Sequence, residues 1–113
     1  MSWIGRLFSR TSPPVRRLDE ALAAWEAGDY GVALDLWAPL AHAGLARAQS
    51  NMGAAFLEGR GVERDPVEAL HWLMRAEAGG AGELAAGFLR EARAHTRSSQ
   101  RAEAARRAAE PLS

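Results

Sequence analysis

Residues 46–80 constrain the fold of this chain more than any other part of its sequence. Small residues recur there at positions where two helices would have to touch, and large apolar residues would fill the space around that contact. The small residues are Ala48, Gly53 and Ala69, and the large ones are Met52, Phe56, Leu57, Leu70, Trp72 and Leu73. We therefore predict two short helices that pack closely against each other.

The connection between these two helices has the composition of a tight turn. Gly59 and Gly61 allow left-handed backbone conformations. Asp65 is expected to cap the second helix, with Pro66 in its first turn and Glu68 at the spacing of a capping box. The segment thus predicts a helix, a glycine turn and a capped helix.

Composition favours helices and limits the classes of function. Ala, Leu and Arg are abundant, whereas Lys and Cys are absent. Lys+Arg and Asp+Glu both total 14, and this balance argues against a nucleic-acid-binding protein, which needs a basic surplus. The absence of Cys excludes a disulfide framework and a thiolate metal site. No apolar run approaches the roughly 20 residues that span a bilayer.

The chain divides into an N-terminal arm, residues 1–14, a helical-repeat domain, residues 15–95, and an Ala/Arg-rich tail, residues 96–113. Within the domain we expect an earlier helix pair before residue 46 and one closing helix, roughly residues 81–94. The tail has almost no apolar stripe beyond Ala, so we expect a solvated, partly ordered segment. The alternative is an Arg-bearing helix that binds an acidic partner.

The earlier helix pair has clear end signals. Gly28 should end its first helix in a left-handed conformation, and Asp29 should cap the second. Pro39 lies within the apolar stripe of the second helix and predicts a kink, and Gly44 ends it. Because the corner after Gly28 is short, the two helices must be antiparallel neighbours.

The N-terminal arm has four apolar residues spaced for one helical face and two arginines on the other side. This pattern is typical of an amphipathic anchor that enters a membrane interface or a partner's groove. We favour two other interpretations, in which the arm folds back onto the first helix of its own domain or is a frayed terminus. The apolar residues are Trp3, Ile4, Leu7 and Phe8, and the arginines are Arg6 and Arg10.

With these features, residues 46–80 resemble a Sel-one-like repeat (SLR), a relative of the tetratricopeptide repeat. The matching positions are Ala48, Gly53, Phe56, Gly59, Gly61, Val62, Asp65, Ala69, Trp72, Ala76 and Gly79. The preceding pair looks like a degenerate tetratricopeptide-like unit, offset by about 36 residues, within the range of helical-pair repeats. The resemblance implies an all-α fold, a short α/α solenoid of antiparallel helix pairs with about five helices and a flexible or helical tail.

The sequence contains no arrangement of residues typical of catalysis, of a metal site or of a cofactor site. His42, His71 and His95 are too widely spaced for a helical metal pair, and we expect His71 to point outward. Solvated helix faces account for the carboxylates. We therefore predict no catalytic residue, no metal and no cofactor.

We expect a non-catalytic protein-protein interaction module, an adaptor, accessory or assembly subunit that binds another protein in a larger complex. The expected location is the cytoplasm, and the composition together with the resemblance suggests a bacterium. The alternative is a peripheral protein of the inner membrane, anchored by residues 1–10, and an enzyme is the remote alternative. Candidate partner-binding residues are Trp3, Ile4, Leu7, Phe8, Arg47, Ser50, Asn51 and Ala54, and the predicted concave face adds Glu20, Ala24, Ala55 and Glu83.

Overall fold

A computed structural model describes residues 14–112, and every regular element in that range is helical. Six α-helices follow one another: α1 (Pro14–Glu26), α2 (Tyr30–His42), α3 (Ala46–Glu58), α4 (Pro66–Ala76), α5 (Gly82–Ala94) and α6 (Ser98–Ala109). A short π-helical segment, Glu77–Ala81, joins α4 to α5, and its backbone turns at Gly80, where φ is +97°. The predicted all-α class is confirmed for this part of the chain. Residues 1–13 of the N-terminal arm lie outside the described residues, and Pro14 begins α1.

Most of the predicted helix ends are confirmed, and one cap is wrong. Gly28 follows α1 with φ +84°, and Gly59 follows α3 with φ +70°. Asp65 caps α4, because its carboxylate accepts hydrogen bonds from the backbone N–H of Val67 and of Glu68, both at 3.1 Å. Asp29 occupies the corresponding position before α2 but makes no side-chain cap. Helix α2 includes Pro39 and continues to His42.

Two apolar cores hold the helices together. The first lies among α1, α2, α3 and α4 and contains Ala21, Ala33, Leu34, Trp37, Leu40, Ala41, Ala48, Met52, Ala55 and Trp72. The second joins α3, α4, α5 and α6 and contains Leu57, Ala69, Leu70, Leu73, Ala76, Ala85, Leu89, Ala92 and Ala104. Phe56 packs against both. The predicted burial of Trp72 is confirmed, since its side chain is only 3% exposed.

Several residues of the predicted repeat lie where helices contact one another. Gly53 faces α4, where an added Cβ would lie 3.2 Å from the carbonyl oxygen of Ala69. Gly61 lies against α2, where an added Cβ would meet Tyr30 at 3.0 Å. Buried members are Ala48, Ala69, Trp72 and Ala76, and half-buried members are Phe56 and Val62. Close contact between the two helices of residues 46–80 is thus confirmed.

The prediction of a solvated C-terminal tail is wrong. Residues Ser98–Ala109 form helix α6, which packs mainly against α4, and Ala104 is fully buried there. Its apolar stripe consists largely of alanine, which allows close approach of two helices but gives a weak hydrophobic pattern. The predicted closing helix corresponds to α5.

Candidate functional site

A groove runs across the face that α1, α3 and α5 share. It encloses a cavity of about 130 Å³. Trp37 of α2 takes part in the lining although it is only 2% exposed, and Leu22 of α1 is 49% exposed beside it. The full lining is Leu22, Trp25, Trp37, Asn51, Ala54, Glu58 and Phe88. We call this site the α1/α3/α5 groove.

One wall of the groove is an aromatic cluster fixed by an arginine. The ring of Trp25 packs edge-on against Tyr30 at 4.7 Å and lies 5.3 Å from the ring of Trp37. The Arg60 guanidinium lies 5.9 Å from the Trp25 ring centre and 5.5 Å from that of Tyr30, both within cation–π range. Arg60 also pairs with Glu58 at 3.1 Å. The glycine turn after α3 therefore helps to hold the wall of the groove in place.

The indole of Trp37 has a donor without an acceptor. Its Nε1–H is buried and has no hydrogen-bond partner within residues 14–112. Leaving a buried donor unpaired costs about 1–3 kcal/mol, so such groups are uncommon in folded proteins. One of the residues that line the groove therefore has a buried polar group whose hydrogen-bonding capacity is unused.

One carboxylate lines the groove, and others lie on the helices that border it. Asp19 and Glu26 lie one turn on either side of Leu22 on α1, and both are exposed. Glu58 lines the groove from α3. Glu91 lies one turn beyond Phe88 on α5 and is exposed. Because Glu58 is paired with Arg60 at 3.1 Å, the apolar side chains of the lining are the main feature that an occupant would match.

The candidate partner-binding residues lie in different parts of the structure, and only some of them line the groove. Asn51 and Ala54 line the groove. Ser50 is buried, at 4% exposure, and Arg47 is exposed but outside the lining. Trp3, Ile4, Leu7 and Phe8 lie outside the described residues.

The other predicted concave-face residues do not line the groove. Ala55 is fully buried in the first core, and Ala24 packs against it. Glu20 is half-buried, and Glu83 is exposed beside a separate depression at the α4–α5 connection. Sequence reasoning missed Leu22, Trp25 and Phe88 as groove residues. Leu22 and Trp25 follow Leu18 at i+4 and i+7, a spacing typical of a core-facing stripe, and only the packing of neighbouring helices shows that they border an opening.

A polar network joins α4 to α6 and corrects the prediction for His71. This side chain is buried, at 7% exposure, and does not point outward. Arg75 Nε donates to His71 Nε2 at 2.6 Å, so the imidazole proton is on Nδ1, 3.3 Å from Glu68 Oε1. Arg107 Nη1 of α6 donates to Glu68 Oε2 at 2.8 Å, and Arg75 also donates to the backbone carbonyl of Arg107. The network therefore fastens α6 to α4.

The network sets the charge state of Glu68. The hydrogen bond from His71 lowers the pKa of the Glu68 carboxyl below its ordinary value, and the positive charge and hydrogen bond of Arg107 act in the same direction. Partial burial opposes this shift and is the weaker effect. Glu68 therefore stays ionised through mildly acidic pH and keeps its ion pair with α6.

Two other surface depressions lie near the helix connections. One, of about 250 Å³, is lined by Arg17, Leu40, Ala43, Gly44 and Leu45. The other, of about 540 Å³, is lined by Ala46, Gly79, Gly80, Ala81, Gly82, Glu83 and Leu84. Between residues 14 and 112, no cluster of three or more His, Cys, Asp or Glu side chains is arranged to hold a metal ion. No helix in the same range is long and apolar enough to cross a membrane.

Comparisons of the chain with protein-family models, with curated proteins and with solved structures found no match. The resemblance of residues 46–80 to an SLR stays a prediction that depends on the residues themselves.

Proposed function

We propose that this chain is a non-catalytic protein-protein interaction module that acts as an adaptor, accessory or assembly subunit in a larger complex. The observation that supports this function best is the α1/α3/α5 groove, which is lined mainly by apolar side chains together with Asn51 and Glu58. Exposed Leu22 and half-buried Phe88 border it. An apolar depression with a polar rim is typical of a surface that binds another protein.

The size of the groove suits one large apolar side chain. A dry protein cavity of about 150 Å³ can hold a benzene molecule. The groove, at about 130 Å³, is therefore matched to a single aromatic or leucine side chain. The amide of Asn51 could pair with the backbone of the segment that carries this side chain.

The proposed architecture is a short α/α solenoid, similar to SLR proteins, in which α1/α2 and α3/α4 are antiparallel pairs. Successive helices from α1 to α5 pack against their neighbours, and α5 also contacts α3. Helix α6 covers α4 and acts as the cap that terminal repeats of solenoids require. The proposed location is the cytoplasm.

Affinity purification of the full chain from its native host, followed by mass spectrometry, tests the function. Leu22→Arg blocks the groove, and Val32→Arg is the matched control, because Val32 is 54% exposed on α2 and does not line the groove. We expect a stoichiometric partner with the unmodified chain and with Val32→Arg, and at least a tenfold lower recovery with Leu22→Arg. Absence of a stoichiometric partner, or equal recovery with both variants, would contradict the proposal.

The alternative is a peripheral membrane protein anchored by residues 1–10. It is supported by the aromatic and basic pattern of that segment. Vesicle flotation of the full chain and of a version without residues 1–10 separates the two functions. Flotation that depends on these residues favours the alternative, and equal behaviour of both versions removes it.

A further inference from the structure

We infer that helix α6 is a pH-sensitive cap, which stays docked on α4 while His71 is neutral and loosens when His71 gains a proton. The device consists of the polar network between these two helices. The lining of the α1/α3/α5 groove comes from α1, α2, α3 and α5, so this inference is independent of the proposed function.

The attachment of α6 to α4 depends strongly on polar contacts. Ala104 is the one residue of α6 that is buried, and an alanine side chain removes little apolar surface from water. The polar contacts are the ion pair of Arg107 with Glu68, at 2.8 Å, and the hydrogen bond from Arg75 to the backbone carbonyl of Arg107. A change of charge within this network can therefore shift the balance between docked and loosened α6.

His71 accepts a hydrogen bond at the ring nitrogen that would take up a proton. Arg75 Nε donates to His71 Nε2, and the two nitrogens are 2.6 Å apart. A protonated imidazole carries N–H groups on both nitrogens, so two donors and two positive charges would then face each other. His71 is only 7% exposed and is held by Glu68 at Nδ1, so Arg75 is the side chain that has to move. Its hydrogen bond to α6 is lost with that movement.

The charged groups around His71 come from both helices. Helix α4 contributes Glu68 and Arg75, and α6 contributes Arg107, which also pairs with Glu103 at 3.2 Å. A protonated His71 would attract Glu68 and compete with Arg107 for it, which weakens the ion pair to α6. The pKa of Glu68 is lowered, so this carboxylate keeps its charge at mildly acidic pH. Histidine gains its proton between pH 8 and pH 5, so His71 is the member of the network whose charge can change there.

Hydrogen exchange of the full chain between pH 8 and pH 5 tests this inference. Each amide rate is divided by the rate of an unfolded peptide at the same pH, which removes the pH dependence of the exchange chemistry itself. We expect the α6 amides to lose about tenfold or more of their protection, whereas those of α2 and α3 keep theirs. His71→Gln retains an acceptor for Arg75 but cannot gain a proton, so it should abolish this loss. The matched control replaces the exposed His42 and His95 with Gln and should retain it.

Nuclear magnetic resonance of the histidine ring nitrogens in the unmodified protein gives a second readout, which needs no variant. We expect His71 to change from the neutral form with its proton on Nδ1 to the doubly protonated form over the pH interval in which α6 loses protection. A doubly protonated His71 beneath a fully protected α6 would overturn the inference, as would loss of protection while His71 is neutral. An equal loss in His71→Gln, or a loss shared by all helices, would also overturn it, because the cause would then be another group or global unfolding.

Discussion

Gly53 of α3 lies so close to Leu73 of α4 that a Cβ added to the glycine would stand 2.5 Å from the Leu73 Cγ atom. Leu73 is fully buried in the second core and cannot swing away without opening a void. The missing side chain at position 53 therefore sets how closely α3 and α4 pack, and this distance in turn positions the α3 wall of the groove.

Gly53→Ala should destabilise the protein by about 1–2 kcal/mol. The steric cost of overpacking, about 1–3 kcal/mol, exceeds the helix-propensity gain of up to about 1 kcal/mol. The control is Gly87→Ala in α5, where an added Cβ meets only the end of Arg90 at 3.8 Å. That substitution should stabilise by about 0.5–1 kcal/mol. Urea unfolding measures both, and a stabilising Gly53→Ala would show that the helices separate easily.

Asp65→Ala should cost about 1 kcal/mol of stability, because it removes the acceptor for two backbone N–H groups at the start of α4. Asp29→Ala should change the stability by less than about 0.5 kcal/mol, since Asp29 makes no side-chain cap. Thermal unfolding of the two variants provides the comparison. Equal losses would mean that Asp29 caps α2 in solution after all.

Acid should lower the free energy of unfolding of the protein, and part of this loss should depend on Glu68. The pKa of Glu68 is lowered in the folded state, so its stabilising effect is complete above the unfolded pKa of about 4.3 and is lost as pH falls through the lower folded value. Glu68→Gln should lower the free energy of unfolding by about 1 kcal/mol at pH 7, because it weakens the pairing with Arg107. The difference in stability between this variant and the unmodified protein should shrink below about pH 4.

Urea unfolding at several pH values measures this difference. Glu63→Gln is the control, because Glu63 is exposed. A difference between Glu68→Gln and the unmodified protein that stays constant down to pH 2 would argue against the Glu68–Arg107 ion pair.

Ala104→Arg should detach α6 from α4, because Ala104 is fully buried in the second core and has no room for a long charged side chain. Ala102→Arg should leave α6 docked, since Ala102 is exposed on the same helix. Hydrogen exchange of the α6 amides is the measurement. We expect a loss of protection of at least tenfold for Ala104→Arg alone, and equal protection in both variants would contradict the observed packing.

The helix pair of residues 46–80 could be predicted in detail because its signals are local. Asp65 caps α4, which begins at the next residue, and Gly59 directly follows the last residue of α3. The contact at Gly53 could be predicted because small residues at helical spacing mark a close helix contact wherever the partner helix lies nearby in sequence.

The groove and the α4–α6 network could not be predicted in this way. His71 is buried because Arg75 and Glu68 surround it and α6 covers it, and the Glu68–Arg107 contact joins residues 39 positions apart. Alanines on α6 carry little periodic hydrophobic signal, so its docking face was not visible in the sequence. Leu22 appears as a core residue by periodicity, although it is half exposed.

The sequence by itself determined where the helices begin, turn and end, and which small residues touch, because these features depend on backbone conformation and on neighbours within a few residues. Only the tertiary structure decided that α6 covers α4 and that α1, α3 and α5 leave a groove. Both depend on the free energy of packing distant segments, in which apolar burial and ion pairing between helices outweigh the weak preferences of each segment alone.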